Sequence, residues 1–182
     1  MIDGFLRVDP VLRPEHLAYL VAFHHTLRLK RDAAKLLERL QSGEFRDELR
    51  TAVGLPIGPD GGYFVGGSGS IGQAPTADVF DFNTPPSGQP TTHCPWTPTA
   101  RGDYISAEPR RFSDAQHGLA WLSYIVDNFL APWGYSVYGE ARWDHSGEYD
   151  DDDRGTIFAS GSRVAAVADV IIRGRPPWEE SA

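Results

Sequence analysis

The spacing of apolar residues predicts a strand followed by helices in the first part of the chain. Gly4–Val8 has the composition of a short strand, and the apolar residues after Pro14 recur at helical intervals as far as about Lys30. A second helical pattern covers Ala33–Leu40, and Gly43 marks its end. This order predicts a β-α start for the fold.

The last part of the chain predicts one helix and three strands. Ser113 and Gln116 form a capping box in front of an apolar helical stripe. Tyr135–Trp143 then alternates between apolar and polar residues, which is typical of a half-buried strand. Thr156–Ala159 and Arg163–Val170 flank a Ser-Gly-Ser turn and predict a hairpin.

The centre of the chain, Gly54–Pro98, is rich in Gly, Pro, Ser and Thr and predicts a long loop region. A strand pair is expected at Trp96–Thr99 and Tyr104–Ala107. The whole order predicts an α+β fold, with an antiparallel sheet, two main helices on one face in a ferredoxin-like core, and a C-terminal hairpin. We expect a single domain at residues 1–172 and a loose tail at 173–182.

Composition then narrows the class of protein. The 182-residue chain has a formal net charge of −8, which disfavours nucleic acid as a partner and favours a basic one. One cysteine, Cys94, cannot form an internal disulfide, and the N-terminus lacks the basic start and apolar run of a signal peptide. No apolar run reaches the length of a membrane span. We therefore expect a cytoplasmic protein without a membrane contact.

Four residues are candidates for catalysis. Cys94 is a possible nucleophile, but the adjacent His93 points to the opposite side of an extended segment and cannot serve as its base. Glu140, Asp144 and His145 are acid/base candidates at the start of an acidic segment. A solvated acidic turn between strands is the alternative interpretation of that segment.

The sequence contains two patterns that suggest phosphate binding. Gly67–Gly72 satisfies G-x-G-x-x-G, yet no helix is predicted after it, so a hairpin tip is the alternative. Arg28–Arg31 is basic and suits either a phosphate or the C-terminal end of the first helix. The acidic segment fails the EF-hand spacing. We predict no metal site and no cofactor.

Aromatic and polar residues of the loop region and the last strand suit a recognition surface. The predicted binding residues are Tyr63, Gln89, His93, Trp96, Tyr138 and Trp143.

Several segments carry a resemblance to other proteins: Leu29–Asp32, Gly62–Gly66, Asp81–Pro86 with Gln89 and Pro90, Cys94–Trp96, Gly139–Trp143 and Asp152–Gly155. They resemble a group of small proteins from actinobacteria and related bacteria to which no activity is assigned. The resemblance implies that the loop region belongs to the fold, and it implies no mechanism.

Two functions follow as hypotheses. The first is a non-catalytic binding or interaction protein of the bacterial cytoplasm with a protein partner or small ligand; an immunity or host–phage interaction factor with a basic partner is one form of it. The alternative is a small enzyme that acts on a nucleotide or other phosphorylated ligand through carboxylates near residues 140–153. The sequence favours binding over catalysis because it contains no complete catalytic pattern.

Overall fold

A computed structural model shows an α+β fold. It describes residues 2–44, 46–55, 64, 76–111, 114–145 and 153–169, of which 145 and 153 are described by their backbone alone. In these ranges, no helix has the length and apolar character needed to cross a membrane.

Eight strands occur in the described ranges. In chain order they are β1 (Ile2–Asp9), β2 (Lys30–Arg31), β3 (Val79–Asp81), β4 (Trp96–Pro98), β5 (Tyr104–Ala107), β6 (Ser136–His145), β7 (Asp153–Gly161) and β8 (Arg163–Ala168). Six of them form a sheet in the order β4-β5-β1-β6-β7-β8, and β2 pairs with β3 in a second, two-stranded sheet. Every described pair of strands is antiparallel.

The described helices are α1 (Pro14–His25), α2 (Ala33–Ser42), α3 (Glu48–Ala52) and α4 (Ala115–Ile125). A π-helical turn at Val126–Leu130 continues α4 directly. In space, α1 contacts β4, and α4 contacts β4, β7 and β8. The antiparallel α+β prediction is therefore confirmed, whereas the ferredoxin-like core and the one-domain division at residues 1–172 stay predictions. The tail at 173–182 lies outside the described residues.

One face of the large sheet carries the core. In β6, Val137, Ala141 and Trp143 are buried, while Tyr138 and Arg142 are exposed, so the predicted alternation is confirmed. The buried residues of the sheet form one apolar cluster with those of α1 and α4. The helices thus cover the inner face of the sheet.

Two local predictions need correction. The first helix ends at His25 and not near Lys30, because the chain then pairs with a distant segment: Arg28 N donates to Thr92 O at 2.7 Å. Helix α4 is capped by Asp114, whose side chain accepts from the amide of His117 at 2.7 Å. The predicted cap, Ser113, lies outside the described residues.

A buried ion network joins α2 to the small sheet. Arg31 Nη1 donates to Asp78 Oδ2 at 2.7 Å, and Arg39 Nη1 donates to Asp78 Oδ1 at 2.5 Å. The side chains of Arg31 and Asp78 are each only 1% exposed. Burial opposes ionisation of Asp78, but hydrogen bonds from Thr76, Arg31 and Arg39 outweigh it and lower the pKa of the carboxyl. Asp78 therefore stays ionised and fixes β3 against α2.

Replacement of Asp78 by Asn leaves the buried Arg31 without its counter-charge. We expect Asp78→Asn to lower the free energy of unfolding by about 3 kcal/mol, measured by urea denaturation at pH 7. Asp81→Asn is the control, because Asp81 accepts hydrogen bonds from Thr84 and Asn83 at the end of β3 and is less buried than Asp78. A loss of stability in the control as large as in the test variant would contradict the account.

The same network sets a pH dependence. Because the pKa of Asp78 is lower in the folded than in the unfolded chain, its contribution is complete above the unfolded value of about 4 and is lost as the pH falls through the folded value. The wild type should lose this part of its stability on acidification, and Asp78→Asn should not.

Candidate functional site

An open groove of about 720 Å³ lies beside α4. Its described lining residues come from α4, the π-helical turn and the loop before β4: Ser87, Gly88, Ala120, Ser123, Tyr124, Asp127 and Asn128. Among these, Asp127 alone carries a charge. The groove therefore combines one carboxylate, several uncharged hydrogen-bonding groups and one aromatic ring.

The π-helical turn places polar groups at this groove. The amide of Ala131 donates to the carbonyl of Val126 at 2.9 Å, a five-residue spacing that widens the helix. Asn128 Nδ2 donates back to the carbonyl of Tyr124 at 2.9 Å, and Asp127 is exposed next to it. Turns of this kind are rare in proteins and are frequent at functional sites, so the groove is the candidate site.

Tyr124 is a fixed part of the groove wall. Its ring centre lies 6.2 Å from that of Phe23, 5.6 Å from that of Trp121 and 5.8 Å from that of Phe129. Its hydroxyl oxygen accepts from Gln89 Nε2 at 3.0 Å. The ring is held from several sides and is preorganised for contact with a ligand.

These rings belong to a larger aromatic cluster between α1 and α4. Its members contact one another edge-on or stacked, and they are Tyr19, Phe23, Phe64, Trp121, Tyr124, Phe129 and Trp133.

Arg28 lies in this aromatic cluster with a fully buried side chain. Its guanidinium carbon is 4.8 Å from the centre of the Phe23 ring and 5.0 Å from that of Phe64. Its Nε donates to the carbonyl of Thr26 at 3.1 Å. Burial lowers the pKa of Arg28 to about 10, so the group is still a cation at neutral pH.

The predicted binding residues near the helices have different surroundings. Gln89 reaches the groove wall through its hydrogen bond to Tyr124. Trp96 is buried, and its Nε1 donates to the carbonyl of Gly118 at 2.7 Å, which ties β4 to α4. His93 is exposed. Gln89 thus contacts a lining residue of the groove.

The predicted residues of β6 lie on opposite faces of the sheet. Trp143 points into the core over Gly155, where any side chain would collide with the indole, and it lines a second groove of about 430 Å³. Tyr138 lies on the outer face, with the guanidinium carbon of Arg7 5.4 Å from its ring centre. These two residues do not share one surface.

The predicted acidic residues pair with arginines. Glu140 lies 3.8 Å from Arg142 Nη2, and Asp144 lies 3.2 Å from Arg154 Nε. All four side chains are well exposed as a whole, so these pairs are expected to add little to stability.

Other predicted site residues lie outside the described residues. They are Tyr63, the side chain of His145 and most of the Gly-rich run 58–72. Within the described part of the chain, no three His, Cys, Asp or Glu side chains come together as a metal site.

A buried histidine contact was not foreseen from the sequence. His24 Nδ1 lies 2.9 Å from the carbonyl of Cys94, and its Nε2 lies 3.0 Å from Glu108 Oε2. Arg111 binds the same carboxylate oxygen at 3.0 Å and also donates to the carbonyl of His24. The contact ties the end of α1 to the segments on either side of β4 and β5. No local pattern around His24 indicates it, because its partners are distant in sequence.

The groove residues were also missed. Ser123 and Tyr124 lie within the helix that the apolar stripe predicts, and the signal that identifies the site is the polar pair Asp127-Asn128 at the end of that stripe.

Comparisons of this chain with protein-family models, with curated proteins and with solved structures find no match.

Cys94 has an environment that opposes nucleophilic catalysis. Its thiol is buried and donates to the carbonyl of Trp96 at 3.4 Å. Burial raises the pKa of the thiol to about 12, so it is protonated at neutral pH, whereas a nucleophile needs the thiolate.

We expect Cys94 to be inert towards a thiol reagent in the folded protein. At pH 8, the native chain should react with Ellman's reagent at least about a hundred times more slowly than the chain in 8 M urea, because reaction requires opening of the core. If the thiol of the native chain reacts as fast as the thiol in 8 M urea, Cys94 is not buried in the folded protein.

Proposed function

We propose that this chain is a binding protein whose groove beside α4 receives a basic side chain of a protein partner. The observation that carries the proposal is the lining of the groove, in which Asp127 is the charged member and Tyr124 a fixed aromatic wall. Arginine and lysine pair with carboxylates, and their cationic groups or alkyl stems pack against aromatic rings.

The charge of the whole chain supports the same partner. A formal net charge of −8 attracts a cationic protein over a distance and speeds its association. Ser87, Ser123 and Asn128 add short polar side chains to the lining of the same groove. A guanidinium or ammonium group carries several donors, so it makes use of such acceptors.

Binding is favoured over catalysis by the environments of the catalytic candidates. The Cys94 thiol is protonated, and Glu140 and Asp144 are exposed beside arginines. The enzyme hypothesis, with a nucleotide or other phosphorylated ligand near residues 140–153, stays the alternative. A role as an immunity or host–phage interaction factor is a finer part of the proposal and rests on the acidic charge. A location in the bacterial cytoplasm is another finer part, and it rests on the single cysteine and on the resemblance.

The test is the binding of a model basic peptide. We expect the peptide acetyl-Gly-Arg-Gly-amide, titrated into ¹⁵N-labelled protein at low salt, to shift the amide resonances of Gly88, Ser123, Asp127 and Asn128. Asp127→Asn should weaken the affinity about ten-fold, because it removes a charge-assisted hydrogen bond.

Asp3→Asn is the matched control for this titration. Asp3 is exposed in β1 on the outer face of the sheet, away from α4, and its replacement changes the net charge by the same amount. Equal weakening in both variants would show that the peptide responds only to overall charge. Resonance shifts confined to another surface would also overturn the proposal.

A further inference from the structure

Among the described residues, the terminal nitrogens of Arg28 have no hydrogen-bond partner. Nη1 and Nη2 are both buried, and no acceptor lies within reach of either in the described residues. The backbone amide and Nε are already engaged with the carbonyls of Thr92 and Thr26. The outer edge of the guanidinium carries up to four N–H groups on Nη1 and Nη2, and these groups still need hydrogen-bond acceptors.

The surrounding rings do not fill this requirement. Phe23 and Phe64 attract the cation through their faces, but they provide no acceptor for its N–H groups. A charged group without acceptors inside a protein is strongly unfavourable, and nearly all buried polar groups are paired. In the part of the chain that the structure describes, Nη1 and Nη2 of Arg28 therefore lack a hydrogen-bond acceptor.

The neighbouring carboxylate is already used elsewhere. Asp47 contributes to the electrostatic environment of Arg28, but its Oδ1 accepts from the amide of Arg50 and its Oδ2 from the amide of Phe64, both at 2.9 Å. These bonds cap α3 and hold Phe64 against the aromatic cluster. Asp47 thus builds the wall of the site and does not close the outer edge of Arg28.

The second basic residue of the same segment shows the contrast. Arg31 is nearly as buried as Arg28, and its guanidinium is bound by the carboxylate of Asp78. Within the described residues, the chain thus supplies a hydrogen-bonded carboxylate for one buried arginine and none for the other. Such a difference is expected when the partner of Arg28 comes from outside the chain.

We propose that Arg28 binds a small oxyanion, a phosphate or carboxylate group, through Nη1 and Nη2. A planar guanidinium presents two parallel N–H groups, which match two oxygens of such an anion. Phe23 contacts both Arg28 and Tyr124, so the anion site lies one aromatic ring from the groove wall. This site is independent of the proposed function, because the groove takes a cation at Asp127 and Arg28 takes an anion in the interior.

The experiment is thermal unfolding of the full chain in increasing sodium phosphate or sodium formate, with sodium chloride added to keep the ionic strength constant. The wild type should be stabilised in a saturable manner, with Tm higher by about 5–10 °C at a hundred times the dissociation constant. An effect of phosphate alone assigns a phosphoryl ligand, an effect of formate alone assigns a carboxylate, and an effect of both assigns oxyanions in general.

Two variants of Arg28 and one control complete the test. Arg28→Met should abolish the saturable effect, and Arg28→Lys should raise the dissociation constant about ten-fold, because an ammonium group does not bind the anion in the bidentate manner. If Arg28→Met does not fold, the dissociation constant measured for Arg28→Lys still tests whether Arg28 binds the anion. Arg101→Met removes one exposed arginine and should behave as the wild type. The proposal is overturned if neither anion stabilises the wild type, or if the Arg28 variants respond as the control does.

Discussion

The helix side of this protein is organised around a guanidinium that is completely removed from water. Arg28 keeps its charge at neutral pH although burial lowers its pKa to about 10. Faces of Phe23 and Phe64 lie about 5 Å from its central carbon and provide the attraction that water would otherwise supply. The backbone of the same residue bonds to Thr92, so the charge also fixes where the loop before β4 runs. The end of α1, the loop and the aromatic cluster therefore depend on one another.

The same cluster gives the molecule two sites of opposite charge. Tyr124 packs against Phe23, and it lines the same groove as the carboxylate of Asp127. Arg28 contacts the same Phe23 within the cluster. The charge of Asp127 lies at the surface and acts through water, whereas the buried charge of Arg28 requires a direct partner. The carboxylate therefore suits a cationic ligand, and the guanidinium suits an anionic one. A change in the packing of Phe23 is expected to affect both.

The sequence predicted those parts of the fold that depend on local patterns. The alternation in Tyr135–Trp143 identified β6, because one face of the sheet is covered by helices and the other is exposed. The end of α1 was misplaced, since it is set by the bond between Arg28 and the distant Thr92. The site was less predictable than the fold. Arg28 was predicted within a basic stretch that suits a phosphate or the C-terminal end of the first helix, and its burial was missed because arginine is rarely fully buried. The position of Asp127 depends on a π-helical turn, which apolar periodicity does not show.

The central claim is that the aromatic cluster holds Arg28 as a buried cation, and a double-mutant cycle of Phe23→Leu and Arg28→Met tests it most directly. The free energies of unfolding of the wild type, both single variants and the double variant are measured by urea denaturation at pH 7. The account predicts that loss of the Phe23 ring costs less when Arg28 is already replaced, with a coupling energy of about 1–2 kcal/mol. Effects that add to within about 0.5 kcal/mol would show that the ring does not hold the charge.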